Sequence, residues 1–505
     1  MLAYEELAEV ERRVWDAFPY GGVVDLRSGD PAQDDPVGGG AWGAERAVRA
    51  EVITALLLRR PDQQGAVPAL RLVGARITGR LDLGGATVES ELSLEQCHFE
   101  QSVVLRGASL RSTGLIGCYL PGLDGWLLQV DGNLFFVDSV IEGRLTLTRA
   151  HVTGELRLSG VRLTATELLD GSQSEPTSGS GVWALWAGGL LLDGGCFARK
   201  GFATRGGLRL VGARFNGGLF MEQARIENPG GDALTGDDLT ASTMVLSEGF
   251  TAVGTIRLPG ATVRSRLSLD TAVLQGGELA LDGNRLRAGE LQLTVAATPV
   301  GSVDLREAQV AVLHDNEYSW PPDTWLDGFG YTTIQVPVGS TEPVAARLRW
   351  LADLPGYAPQ PYEQLAAWYR KIGHDDDARR TLLEKQRRRR RTLSPSGRAW
   401  SRLLDVTVGY GYRPWQAALW LLGLALLGTV VFSQGEARAV QPGQGTPFNA
   451  FVYTLDLLIP IVGFGQRTAW YWTGPYQWFS YGLIAAGWLL TTTVVAGVTR
   501  SLSRT

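Results

Sequence analysis

Leu70-Arg71-Leu72-Val73-Gly74-Ala75-Arg76-Ile77 is followed by Leu81-Asp82-Leu83-Gly84-Gly85-Ala86-Thr87-Val88, then by Leu92-Ser93-Leu94-Glu95-Gln96-Cys97-His98-Phe99 and Val103-Val104-Leu105-Arg106-Gly107-Ala108-Ser109-Leu110. The four segments start 11 residues apart and share one template, L-x-L-x-x-A-x-Φ, where Φ is a large apolar residue. The spacing resumes at Leu134, Leu145 and Leu156, and the motif returns at Leu190 and then at Leu208 and Leu219, which are 11 apart. Later starts are Met244, Ile256, Leu267, Leu279, Leu291 and Val303, at spacings of 11 or 12. An 11-residue period is compatible with a helical supercoil. The L-x-L alternation and frequent Gly decide instead for strands and turns. A unit this short cannot bury its own face, whereas stacked units share one core. The small slot suits a corner where the chain turns inward. The reading is a β-solenoid over residues 66–320 with two motifs, about 22 residues, per coil. Segments 164–181 and 228–242 interrupt the pattern and read as loops leaving the coil.

Working outward, Met1–Arg13 carries Glu5, Glu6, Glu9 and Glu11, with Leu2, Leu7, Val10 and Val14 on one side: an amphipathic helix, not a signal peptide. Glu45–Arg60, with Val48, Val52, Ile53, Leu56 and Leu57, reads as a helix capping the first coil, so that residues 1–62 form a helical cap. Pro321-Pro322 is expected to close the other end. Residues 343–392 change to helical spacing: Val344, Leu348 and Leu351; then Leu365, Trp368 and Tyr369; then, after Gly373, Ala378, Leu382 and Leu383 behind the acidic turn Asp375–Asp377. This segment reads as a connector.

The remaining region, 398–505, reads as a membrane domain. Pro414–Phe432 and Tyr476–Thr499 are uncharged runs of 19 and 24 residues, each long enough for a hydrocarbon core of ~30 Å. Trp and Tyr flank both. Arg387, Arg388, Arg389, Arg390 and Arg391 form an unbroken basic run, followed by Arg398, Arg402 and Arg413; Arg500 and Arg504 follow the second run. The positive-inside rule places both termini in the cytoplasm, and the five-Arg run is the candidate contact for anionic lipid headgroups. Between the spans, Phe448–Ile459 is too short to cross and ends at Pro460, which predicts a re-entrant segment over 447–466.

The A-x-Φ half of the repeat, as in Cys97-His98-Phe99, Cys118-Tyr119-Leu120 and Ala213-Arg214-Phe215, resembles pentapeptide-repeat proteins, which implies a right-handed β-helix. The match is degenerate, since that family repeats every five residues. The ensemble, with Gln360-Pro361-Tyr362-Glu363-Gln364-Leu365 among its helices, resembles a group of actinobacterial membrane-associated proteins that often carry the label oxidoreductase. Val462-Gly463-Phe464-Gly465 resembles a potassium-channel filter, whose backbone carbonyls replace an ion's hydration shell. Ile461 stands in the place of the filter Thr, and Gln466 where an acid often follows. Gly487 falls where such channels bend their inner helix. The resemblance makes Val462, Gly463, Phe464, Gly465 and Asp456 pore-loop candidates, in a homo-oligomer.

Composition excludes other classes. The chain has 505 residues with 45% hydrophobic and 20% charged, which rules out whole-chain disorder. A net charge of -5 gives no global pull toward nucleic acid, and none is expected as a partner. Three Cys argue against a disulfide framework. Gly38-Gly39-Gly40-Ala41-Trp42-Gly43 fits G-x-G-x-x-G, with Asp62 downstream, but it follows a polar loop and no βαβ unit follows it. His98, His151, His314 and His374 form no pair at metal spacing. His98 and His151 are expected to face solvent, and Cys97, Cys118 and Cys196 to be buried. No catalytic residue, metal or cofactor is assigned. The fold expectation is therefore mainly β: a right-handed β-solenoid with a helical cap, a helical connector and a C-terminal two-span α-helical membrane hairpin. The functional expectation is a non-enzymatic scaffold or sensor at the bacterial cytoplasmic membrane, with a protein partner on the solenoid surface. Two alternatives stand beside it: an oligomeric cation channel with its pore loop at 462–465, and a membrane-associated oxidoreductase.

Overall fold

A computed structural model describes residues 3–59, 67–165, 182–335, 344–411, 414–441, 447–459 and 463–502. The chain divides into two compact units, Met1–Gln364 and Leu365–Thr505.

The first unit is a parallel β-solenoid of about 11 turns. Its strands form two sheets of 17 described strands each. Leu70 pairs with Leu92 and Leu123 with Leu145, an offset of 22 residues, so two motifs complete one coil. The leucines of L-x-L face inward: Leu70, Leu72, Leu81, Leu83, Leu92 and Leu94 are all buried. Each thereby stacks on its counterpart one coil away, which turns many small faces into one core.

Parallel pairing extends beyond the repeat at both ends. Upstream, Val23–Asp25 pairs with Arg71–Val73, and Ala47–Arg49 with Arg76–Thr78. Part of the segment expected as helix from Glu45 is therefore strand, and the helix there, Ala50–Leu57, is shorter. A first helix, α1 (Glu9–Ala17), buries Val10 and Val14; Ala50–Leu57 is α2. Downstream, the stack does not stop at Pro321-Pro322. Val303 pairs with Thr324, and Gln309 with Gly330. Both prolines precede the strand, where a missing N–H breaks no ladder bond. The interruption at 228–242 also resolves differently from a loop. Arg225–Thr235 is one strand whose register shifts between Glu227 and Asp232, so the extra residues are absorbed as a bulge. Residues 166–181, most of the other interruption, lie outside the described residues.

The corners explain the template's fourth and fifth positions. The residue before the small slot has positive φ: Gly85, Gly107, Leu127, Arg149, Gly212 and Asp238 along one edge, for example. The small residue's N–H closes the turn onto the carbonyl three residues back, as Ala86 does to Leu83 and Ala108 to Leu105. Such turns favour Gly at the positive-φ place. The same residue donates its N–H across to the next coil, Gly107 to Trp126 and Leu127 to Thr148. That ladder holds even Leu127 and Thr271 in a conformation costing roughly 1–2 kcal/mol for a residue with a Cβ.

The last coil is closed by α3 (Val344–Asp353) and by the start of α4 (Gln360–Lys371). Arg347 of α3 is 2% exposed and makes two hydrogen bonds, at 3.0 and 3.1 Å, to the carboxylate of Asp315. Trp320 donates Nε1–H to the same carboxylate at 2.8 Å and stacks on Trp350 of α3. On the final strand, Gly330–Gln335, the Gln364 amide donates to the Tyr331 carbonyl. Gln360 bonds both the Gly328 N–H and the Phe329 carbonyl in the turn before it. Side-chain amides thus take the places that a further coil would fill.

In the second unit, α5 (Asp375–Arg389) follows a turn at Gly373 and continues into a 3-10 turn, Arg390–Thr392. Then come α6 (Pro395–Val408), α7 (Pro414–Ser433), α8 (Ala450–Leu458), the short α9 (Gln466–Ala469) and α10 (Pro475–Leu502). Arg438–Ala439 pairs antiparallel with Trp470–Tyr471. Among the described residues one helix, Trp415–Ser433 within α7, is long and apolar enough to cross a membrane. Two such helices were expected. The opening turns of α10 carry Gln477, Ser480 and Tyr481 among the apolar residues.

Candidate functional site

The first candidate is the arginine cluster. Acidic residues at the start of α5 and basic residues at its end both suit the helix dipole. The five-Arg run straddles the end of α5 and the 3-10 turn that follows it. Arg387, Arg388, Arg390 and Arg391 line a cavity of about 380 Å³ together with Glu384 of α5 and Arg398 and Arg402 of α6. Arg389 is not among the lining residues. Two carboxylates answer six guanidinium groups. Asp405 of α6 lies 3.3 Å from Arg387 and 3.2 Å from Arg390. Glu384 is farther, at 3.9 Å from both Arg387 and Arg388. Among the described residues, Arg391 and Arg402 have no acidic partner. Ser394 caps α6 by accepting from the Gly397 N–H. Arg398 and Arg402, which the sequence placed only as topology signals, are part of this site because α6 folds back beside the end of α5.

The second candidate is the segment between α7 and α10. Asn449 caps α8 by accepting from Phe451 and Val452. The helix is wedged between its neighbours. A Cβ on Gly428 of α7 would lie 2.4 Å from Thr454, and one on Gly487 of α10 would lie 2.4 Å from the Leu458 carbonyl oxygen. Small residues permit this close approach. Gly487 thus serves as a packing contact for α8. Asp456 is 5% exposed, and its carboxylate accepts the N–H of Phe464 at 3.0 Å and of Arg467 at 2.7 Å. Gln466 reaches back to donate to the Pro447 carbonyl. These bonds tie the return segment to α8. A Cβ on Gly463 or Gly465 would meet nothing within 4 Å, and Gly465 has φ of 76°. Val462 lies outside the described residues.

The other residues singled out in the sequence are structural. Gly39 packs so closely on His98 that a Cβ there would lie 2.6 Å from the His98 Cβ. Gly38–Ala41 belongs to a 3-10 helix, Pro36–Ala41, and no strand leads into it. His98 is buried, contrary to the expected solvent position. It stacks on Tyr119 at 4.7 Å, and its Nδ1 lies 2.8 Å from the Pro36 carbonyl oxygen. The N-terminal segment covers that face of the repeat, which periodicity alone does not reveal. His151 stays partly exposed and pairs with Asp193. All three cysteines are buried. Burial pushes the Cys196 thiol up to about 12 and the Cys118 thiol well above the usual range. Cys118 donates its S–H to the Leu94 carbonyl, and its own N–H donates to Ser139 Oγ. No group of three or more His, Cys, Asp or Glu suited to a metal ion occurs among the described residues.

Fold and site together define a parallel β-solenoid with C-terminal helices, one of them apolar enough to cross a membrane. Compared with family models, curated proteins and solved structures, the chain matches none.

Proposed function

We propose that this chain is a non-enzymatic scaffold or sensor. In this reading the β-solenoid faces the cytoplasm and is held at the bacterial cytoplasmic membrane by a hairpin of α7 and α10, with both termini inside. The observation that carries it is the exposed apolar surface of α7. Only 22% of that helix's apolar window is buried, and Trp415, Leu419, Leu422, Leu426 and Val430 face outward. A core helix of a water-soluble domain buries such residues. On α10, Trp478, Tyr481, Trp488 and Leu489 are likewise exposed, which supports it as the second span. The solenoid is taken as right-handed, the hand that parallel β-crossovers adopt in about 98% of cases. Its long regular faces suit a protein partner. The test is fractionation. The full chain should stay in the membrane pellet after a high-salt wash, and a chain ending at Arg391 should be released. A truncated chain that stays in the pellet refutes the anchor.

One observation favours a second reading, a cation channel assembled from several copies. The Asp456 carboxylate is bonded to the peptides of Phe464 and Arg467, which supports a return segment held from behind, as a pore loop requires. In this reading the carbonyls of Val462–Gly465 line the path and the solenoids act as gates. Gly463→Ala should abolish a potassium current in reconstituted bilayers without changing insertion. A wild-type protein that carries no current, or a variant that conducts equally, rejects it.

A further inference from the structure

We propose that the cavity between the end of α5 and the first turns of α6 is a specific site for the phosphate of an anionic phospholipid. The proposal rests on the membrane reading above and deepens it from a diffuse basic patch to a pocket with a definite residue set.

Three observations converge. Charge comes first: Arg387, Arg388, Arg390, Arg391, Arg398 and Arg402 face one cavity against Glu384, with Asp405 already committed to Arg387 and Arg390. Six guanidinium groups gathered so closely repel one another, and a bound oxyanion relieves that repulsion. Arginine suits this because its planar fork pairs two N–H groups with two phosphate oxygens. Geometry comes second. Arg398 and Arg402 stand four residues apart on α6, so one face of that helix brings both to the cavity, and no acidic residue lies in its first turn. The third observation selects the source of the phosphate. Leu403 and Val406 of α6 are exposed apolar residues, and Trp420 of α7 donates its Nε1–H to the Val406 carbonyl. Leu404 packs against Ala417 of α7 and Leu490 of α10. The helix that supplies Arg398 and Arg402 is therefore joined to the apolar helix and presents apolar side chains of its own, as a helix lying in a membrane interface does. A pocket on such a helix meets lipid phosphates at the depth where they lie.

The full chain, purified in detergent and stripped of lipid, is offered phosphatidylglycerol or phosphatidylcholine, and bound lipid is counted by native mass spectrometry. Wild type should retain phosphatidylglycerol in preference to phosphatidylcholine. The double variant Arg391→Ala with Arg402→Ala removes no ion pair among the described residues and should bind phosphatidylglycerol roughly 20-fold more weakly. Arg285→Ala, an exposed arginine of the solenoid with no ion pair among the described residues, should match wild type. Equal retention by the double variant, or no preference between the lipids, overturns the pocket. Soluble glycerol phosphate forms the second arm: if it binds wild type as tightly as the lipid does, the ligand is free phosphate and the lipid assignment falls. Fractionation of the same chain separates the two levels. Recovery in the aqueous fraction refutes the membrane reading, whereas membrane recovery with an unchanged lipid count refutes the pocket alone.

Discussion

Arg347→Met tests what closes the solenoid. The guanidinium of Arg347 and the carboxylate of Asp315 are 2% and 4% exposed, and the pair is bidentate. The variant removes the cation and leaves Asp315 buried with Trp320 Nε1–H as its remaining side-chain donor. Breaking one partner of a buried pair costs about 3–5 kcal/mol, because the other charge stays out of water. At about 1.4 kcal/mol per factor of ten, α3 should open roughly 100- to 3,000-fold more often. Amide hydrogen exchange reads this directly. Peptides spanning Gln309–Asp315 and Gly330–Gln335 should exchange faster by that factor, up to the rate of global opening, while those near Leu92 stay unchanged. With α3 displaced, the edge at Gly330–Gln335 becomes a template for pairing, so the variant should also self-associate in light scattering. Adding Asp315→Leu should restore most of the protection, since an apolar pair fills the same space without a stranded charge. If Arg347→Met exchanges within about twofold of wild type at both peptides, the ion pair does not hold the cap.

Three further predictions concern titration and thiols. Cys97, Cys118 and Cys196 should resist a thiol reagent at pH 8 until the chain unfolds, since all three are buried and Cys196 stands at about 12; a fast native-state reaction at any of them contradicts the packing. The acidic residues should act in opposite directions. For Asp34, burial raises the carboxyl, but the Ser28 and Gly29 N–H groups and Arg46 outweigh it and hold it at about 2. Its stabilisation is present at neutral pH and is lost as pH falls from ~4 toward 2, and Asp34→Asn should flatten that limb of an acid-unfolding curve. For Asp282, burial and then Asp304 raise the carboxyl, so its neutral form is favoured in the fold. That contribution fades as pH rises from ~4 through the raised value. Asp282→Asn should therefore raise the melting temperature at pH 7 and leave it unchanged below pH ~4; no gain at pH 7 refutes the assignment.

Residues whose role is periodic were the ones legible from sequence. L-x-L and the small slot are set by one core repeated coil after coil, so spacing carries the fold. What stayed hidden depends on non-local partners. Val23–Asp25 and Ala47–Arg49 join the stack without the motif, because a single coil shows no period. His98 sits at a polar position of the repeat and is buried only because Pro36–Ala41 folds over it. The corner residue reads as an arbitrary x, since its N–H is held by a carbonyl about twenty residues away, Leu127 to Thr148 for example. In the second unit the basic run was plain, but the part Arg398 and Arg402 play in the cavity required the chain reversal between α5 and α6.

The chain's preference for arginine over lysine has a structural use that makes the cavity stand out. On the solenoid, arginines reach along the stack to a carboxylate about one coil away: Arg71 to Glu91, Arg106 to Asp124, Arg257 to Asp237 and Arg266 to Glu290. Others lie over aromatic rings, Arg157 over Phe135 and Phe197, and Arg199 over Phe197 and Phe220. Strand spacing of roughly 4.8 Å puts such partners within reach of a long planar cation. Each exposed pair contributes at most about 1 kcal/mol, but like neighbours repeat along the stack and fix its register. Between α5 and α6 the arginines are gathered instead, with six guanidinium groups facing one cavity and two carboxylates to answer them. This excess stands on a helix packed against the apolar α7, and in the membrane reading proposed above a bilayer would supply the missing negative charge.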